Sequence, residues 1–134
     1  MPVSDDPTDM PIAPALRHVL VVEDEALVRM LVVQVLQEAG YSVSEAAEAT
    51  GALAQIGSGA RIDLMVTDVG LPGVNGRQLA DQARALRPDL KVLFMTGYAE
   101  SGLVDMVMPD GFGLITKPFD LDDLAGTVEG LIAG

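Results

Sequence analysis

The sequence predicts an α/β fold: a doubly wound, five-stranded parallel sheet with strand order 2-1-3-4-5. Two observations lead to the fold class, and the strand order is taken from the common arrangements of such sheets. Short apolar runs of strand length alternate with segments of helix length from residue 18 to the end of the chain. Three of those runs end in residues that can do chemistry: His18-Val-Leu-Val-Val22 before Glu23-Asp24-Glu25, Leu64-Met-Val-Thr67 before Asp68, and Gly113-Leu-Ile-Thr116 before Lys117-Pro118. Open parallel sheets gather their sites at the carboxyl ends of the strands, beside the switch point. In the 2-1-3-4-5 order, one of the two common ones, that point falls between the first and third strands, which carry the acids.

The elements follow in order. Residues 1–15 hold four prolines and three aspartates without apolar periodicity, and read as a disordered lead-in to a single domain spanning 16–134. After the first strand, Asp24 is placed to cap a helix over Glu25 to Ala39, which Gly40 stops. Tyr41 to Glu45 alternates weakly, as an edge strand does. Ala46 to Ile56 is an alanine-rich helix closed by Gly57-Ser-Gly59. Leu64 to Thr67 is the most buried strand by composition. Gly70 to Gly76 is a turn-rich loop, and Arg77 to Leu86 a helix that ends before Pro88. Leu90 to Met95 forms a fourth strand. Gly97 to Gly113 leaves room for a helix of two or three turns at most and a Pro109-Asp-Gly111 turn. The fifth strand runs to Thr116. Asp120 caps the final helix, with Asp122 and Asp123 supporting its dipole.

At 134 residues, of which 49% are hydrophobic, the chain suits one domain with a real core. Its net charge of −12 repels nucleic acid and anionic membrane, so neither is expected as a partner. The absence of cysteine excludes disulfides and thiolate metal sites. There is no signal-peptide pattern and no apolar run long enough to span a membrane, so a cytoplasmic location is expected.

Each candidate site residue has a plain reading when taken alone: Asp24 as a helix cap, Asp68 as a turn former, Lys117 as a surface lysine. Together they suggest more. Converging carboxylates repel one another unless a cation joins them. Mg²⁺ suits such a set, because it takes one or two carboxylates, a carbonyl and waters and leaves room for phosphate oxygens. Asp68 is then the candidate nucleophile toward phosphorus. Lys117 supplies a compact positive charge for a phosphoryl oxygen, and Thr96, closing the fourth strand, a hydroxyl donor.

Four segments carry a family resemblance: Val22-Glu-Asp-Glu25, Thr67-Asp-Val-Gly-Leu-Pro-Gly73, Met95-Thr-Gly97 and Thr116-Lys-Pro-Phe119. In their order and spacing the chain resembles the receiver domains of two-component response regulators, over His18 to Ile132 and with a flavodoxin-like fold. The resemblance implies that Asp68 accepts a phosphoryl group from a histidine kinase or a histidine phosphotransfer protein. It also implies that Asp24, Asp68 and the Gly70 carbonyl ligate Mg²⁺, that Glu23 acts through water, and that Lys117-Pro118 is a cis peptide.

Phe94-Met-Thr-Gly97 is similar to the Phe-Ala-Thr-Gly motif of stand-alone receivers of the FAT GUY type, although Met95 departs from it. The run Thr96-Gly-Tyr-Ala-Glu100 is similar to hybrid-kinase receivers. Leu114 occupies the position where many receivers carry a switch aromatic, so the usual threonine–aromatic switch is not expected; Tyr98 and Phe112 are the nearest aromatics. The first helix is apolar on more than one face, which burial in a thick core explains in the main; otherwise Val28 or Val32 marks a kinase-docking face, as the resemblance implies.

The implied function is that of a monomeric signalling module, not an enzyme. It would change conformation on phosphorylation and act on a downstream protein, with no DNA-binding output domain. Two other classes fit less well. A haloacid-dehalogenase phosphohydrolase needs an acid two residues after its nucleophile, where this chain has Gly70. A flavodoxin-like cofactor binder needs a phosphate-binding loop after the first strand, where Glu23-Asp-Glu25 would repel phosphate.

Overall fold

The apolar runs form five parallel strands. They are β1 (His18–Val22), β2 (Ser42–Ala46), β3 (Leu64–Asp68), β4 (Lys91–Thr96) and β5 (Phe112–Thr116), in the order β2-β1-β3-β4-β5. The computed structural model describes residues 17–70, 73–96, 111–116 and 120–133. The expected lead-in, the helix expected after Gly97, Tyr98, Lys117 and Pro118 all lie outside the described residues. Four helices are described: α1 (Ala26–Glu38), α2 (Ala49–Gly57), α3 (Gly76–Leu86) and α4 (Leu121–Ala133). The predicted sheet order is the observed one.

Alternate residues of each strand feed opposite faces, which makes two cores. Leu20, Val22, Met65, Val92 and Phe94 pack with the buried residues of α2 and α3. Val19, Val21, Leu64, Val66, Leu93 and Met95 pack with those of α1 and α4. All five residues of β3 are buried, as its composition predicts.

The helix boundaries differ from expectation where capping decides them. The N-cap of α1 is Glu25, in extended conformation and without a side-chain cap bond, so Asp24 does not cap this helix. Its backbone sits one residue too early. Ala46 ends β2 rather than starting α2, because Glu23 N–H donates to its carbonyl at 3.1 Å and prolongs the sheet pattern. α3 has a capping box absent from the sequence reading: Asn75 Oδ1 accepts from Gln78 N–H at 2.9 Å, and Gln78 Oε1 accepts from Asn75 N–H at 3.1 Å. Asp120 caps α4 as expected, its Oδ1 accepting from Asp122 N–H at 3.1 Å.

α1, α2 and α4 have no basic residue in their last turns. Cations from neighbouring elements serve two of these ends. Arg87 Nε donates to the Ile56 carbonyl of α2 at 3.2 Å. Lys91 Nζ donates to the Leu131 and Ile132 carbonyls of α4 at 2.6 and 3.2 Å. Positive charge at a helix C-terminus complements both the orphan carbonyls and the dipole.

Candidate functional site

β1 and β3 are adjacent, with Val22 level with Thr67, so the residues that follow them share one edge. Glu23, Asp24 and Asp68 each direct a carboxylate oxygen into a space where the three lie within 4.8 Å of one another. Glu23 is fully buried, Asp68 nearly so at 7% exposure, and Asp24 is exposed. One wall of the cluster is thus set in the protein and the other opens to solvent.

Each position has a local cause. The Glu23 carboxylate turns back onto its own loop, where Oε2 accepts from Glu25 N–H at 3.0 Å. A buried carboxylate requires such partners, since desolvation is costly without them. Asp68 closes β3, and its Oδ1 accepts from Gly70 N–H at 3.1 Å. That bond brings the start of the following loop, Gly70 included, against the acid. The Asp68 carbonyl accepts from Thr67 Oγ1 at 3.1 Å, and Val69 N–H donates to the Met95 carbonyl at 3.0 Å. Asp68 is level with Met95, so Thr96 lies one residue farther along the neighbouring strand, fully buried. Glu23, Asp24, Asp68, Gly70 and Thr96 therefore share one edge of the sheet; Lys117 falls outside the described residues.

The described oxygens suit a small divalent cation. Around octahedral Mg²⁺, with metal–oxygen distances of about 2.1 Å, neighbouring oxygens stand roughly 3 Å apart and opposite ones about 4 Å. A cluster within 4.8 Å needs only slight closure, or one carboxylate reaching the ion through water. An all-oxygen donor set without histidine or thiolate fits Mg²⁺ better than a softer metal.

Two other expectations meet the structure. Leu114 is half-buried on β5 and packs with Phe112 against the α2–α3 core. Phe112 itself lies 5.7 Å from Phe94, ring centre to ring centre, and beneath the Arg84 guanidinium at 4.5 Å. Burial explains the breadth of the apolar surface of α1, as favoured from the sequence, and Val28 and Val32 do not mark an outward face. Val32 is 1% exposed and belongs to the core, and Val28 packs against the same core. The outward apolar residues are instead Leu27, Met30 and Leu31, at 65, 55 and 40% exposure. Three- and four-residue spacing puts them on one stripe, about a third of a turn from Val28 and Val32.

Two residues that bear on the site were missed. Gly76 looked like a loop glycine, yet it opens α3 with its Cα against the Asp68 backbone; an added Cβ would lie 2.3 Å from the Asp68 carbonyl oxygen. Arg29 is the lone cation in the apolar run of α1, which was a legible signal. Its Nη1 donates to the Glu23 carbonyl at 2.8 Å and its Nε to Glu45 Oε1 at 2.9 Å.

Comparison with known proteins shows the family. Residues 19–129 match the family model described as the response regulator receiver domain. The chain belongs to that family. It is 41% identical to the sensor kinase CckA of Brucella abortus over 85% of its own length, but spans only 12% of that protein. It is 31% identical to the response regulator receiver protein CpdR of the same organism, covering 87% of this chain and 98% of CpdR. The structure of a response regulator receiver protein from Sinorhizobium medicae superimposes with a TM-score of 0.81 at 27% identity, over 90% of this chain and 97% of that one. The chain is accordingly a receiver domain of the two-component type, a class of signalling module. Among the described residues, no helix is long and apolar enough to cross a membrane.

Proposed function

We propose that this receiver is a phosphoacceptor that takes a phosphoryl group onto Asp68 from a histidine kinase or histidine phosphotransfer protein. The observation that carries the reading is the convergence of Glu23, Asp24 and Asp68 at the ends of two adjacent strands. Asp24, Asp68 and the Gly70 carbonyl would hold Mg²⁺, with Glu23 acting through water. The ion would supply charge neutralisation for the carboxylates and for the phosphoryl oxygens.

An Asp68 carboxylate oxygen would attack phosphorus as the phosphorus–nitrogen bond of the donor phosphohistidine breaks, and the imidazole would leave with the bonding electron pair. Thr96 would donate its hydroxyl to one phosphoryl oxygen, and Lys117 would place its ammonium at another. These contacts would bias the end of β4 toward a second arrangement, read by a downstream protein.

The donor's helices would meet the exposed Leu27, Met30 and Leu31 of α1, the helix that follows the acidic turn. The receiver unit would span 16–134, act as a monomer in the cytoplasm and neither bind nucleic acid nor catalyse turnover of a separate substrate. A stand-alone regulator of CpdR's length and a hybrid-kinase receiver of the CckA type both remain compatible with this chemistry.

The test is transfer from a phosphohistidine donor with and without EDTA. Label should pass to the wild-type chain only with Mg²⁺ present, and should not pass to Asp68→Asn, which keeps the shape and loses the nucleophile. Undiminished labelling of that variant would sink the assignment.

A further inference from the structure

The turn between β1 and α1 carries Glu23, Asp24 and Glu25 in succession, and α1 has no side-chain N-cap to fix it. Something else must hold these acids in place against their mutual repulsion. The Glu23 backbone is gripped from both sides: its N–H by the Ala46 carbonyl at 3.1 Å, and its carbonyl by Arg29 Nη1 at 2.8 Å. That carbonyl belongs to the peptide unit joining Glu23 to Asp24, so its direction sets where Asp24 leaves the main chain. Arg29 is in turn fixed by Glu45 of β2 through Nε, and only 20% of its side chain is exposed. Two bonds from one planar guanidinium leave little freedom to either partner.

The placement of charge adds to this. Arg17 and Arg61 before strands, Arg87 after α3 and Lys91 at the start of β4 sit at the opposite end of the sheet, where Arg87 and Lys91 bond helix carbonyls. Arg29, by contrast, hydrogen-bonds directly to the acidic turn.

We propose that Arg29 is a positioning residue for the cation site: by holding the Glu23–Asp24 peptide, it keeps the Asp24 carboxylate preorganised toward Asp68. This inference rests on the Mg²⁺ reading above. Residues that orient metal ligands from behind are worth about 10- to 100-fold in metal affinity when removed. The bond to Glu45 has a separate role, tying α1 to the edge strand.

Two substitutions separate these roles. In Arg29→Gln the amide reaches only as far as Nε does, so the Glu45 contact is kept and the Glu23 contact is lost. In Glu45→Ala the reverse holds. The whole 134-residue chain is titrated with Mg²⁺ alone, followed by amide NMR shifts and by the rise in Tm, and Tm in EDTA reports any purely structural effect. Arg29→Gln should raise the half-saturating Mg²⁺ concentration about 10- to 100-fold. Glu45→Ala should lower Tm in EDTA and leave that concentration unchanged. Arg29→Lys, which keeps the charge but lacks the fork, should fall between wild type and Arg29→Gln, and it carries the test should Arg29→Gln not fold.

Wild-type Mg²⁺ affinity in Arg29→Gln, or in Arg29→Lys if only that variant folds, would overturn the proposal. So would a loss in Glu45→Ala equal to that in Arg29→Gln. Failure of the wild-type protein itself to respond to Mg²⁺ would instead remove the metal reading beneath it.

Discussion

Gly76→Ala should damage the strand that ends in Asp68, although residue 76 carries no side chain and lies eight positions away in sequence. A Cβ at Gly76 would sit 2.3 Å from the Asp68 carbonyl oxygen, 2.9 Å from Val69 Cα and 3.0 Å from the Asp68 carbonyl carbon. Ordinary contact begins near 3.4 Å, so the shortfall at the oxygen is about 1.1 Å. All three neighbours are main-chain atoms, and none can swing aside as a side-chain tip would. The strand end is tied to β4 by Val69 N–H on the Met95 carbonyl, and α3 is tied to it by Gly76 N–H on the Val69 carbonyl at 3.0 Å.

Overpacking of this kind costs about 1–3 kcal/mol. The better helix propensity of alanine offsets up to about 1 kcal/mol of it. A net loss of about 2 kcal/mol corresponds to a fall in Tm of roughly 5–10 °C for a domain of this size. The effect on chemistry should be larger, since misplacing a reacting group by about 1 Å can cost on the order of 100-fold in rate. The assay is thermal unfolding together with the initial rate of phosphorylation by acetyl phosphate. Gly126→Ala in α4 is the control: nothing lies within 4 Å of its added Cβ, so that variant should be as stable as wild type or more so. A Gly76→Ala protein with wild-type Tm and wild-type rate would refute the reasoning.

Other changes separate the site from its scaffold. Asp24→Ala should weaken Mg²⁺ binding and phosphorylation together while raising Tm in EDTA, because one of three mutually repelling carboxylates is gone; Mg²⁺ titration with thermal unfolding checks both. Lys91→Met should cost about 1.5–3 kcal/mol by removing a charged donor from two helix carbonyls. Mg²⁺ affinity should not change in that variant, since Lys91 lies at the far end of the sheet; urea unfolding and the same titration test it. The Tyr41 phenol is held above its ordinary pKa of 10.0, first by burial and then by Glu129, against a lowering effect of Arg17. The folded state thus keeps this proton more tightly than the unfolded one. Its contribution to stability is complete below pH 10 and fades as pH rises through the raised folded value. Unfolding curves of wild type and Tyr41→Phe over the alkaline range should show that decline only in wild type.

The fold was legible because its signals are local and repeated. Buried parallel strands read as unbroken apolar runs, as Leu64 to Val66 does, and the acids at the ends of β1 and β3 fall where such sheets collect their sites. Alternation and strand-end chemistry gave the fold class; the strand order was taken from the common arrangements of such sheets, and the structure has that order.

What escaped the sequence depends on geometry between distant segments. Asp24 looks like a cap by type and position, but the turn seats Glu25 at the cap instead. Val32 and Leu31 are neighbours in an apolar helix, and only the rotation of α1 on the sheet makes one core and the other surface. Gly76 resembles every other glycine of its loop until the Asp68 carbonyl is seen beside it. The cations that close α2 and α4 come from Arg87 and Lys91, 31 and 40 residues away from the carbonyls they serve, beyond any rule based on local spacing.

The central claim is that Asp68 is the acceptor, and one measurement reaches it directly. The wild-type chain is phosphorylated with a small-molecule phosphodonor in Mg²⁺, the acyl phosphate is trapped by borohydride reduction, and the modified residue is located by peptide mass spectrometry. A single modification at Asp68, absent when EDTA replaces Mg²⁺, is the predicted result. Modification at Asp24 or Glu23 with Asp68 untouched, or incorporation that is indifferent to EDTA, would contradict it.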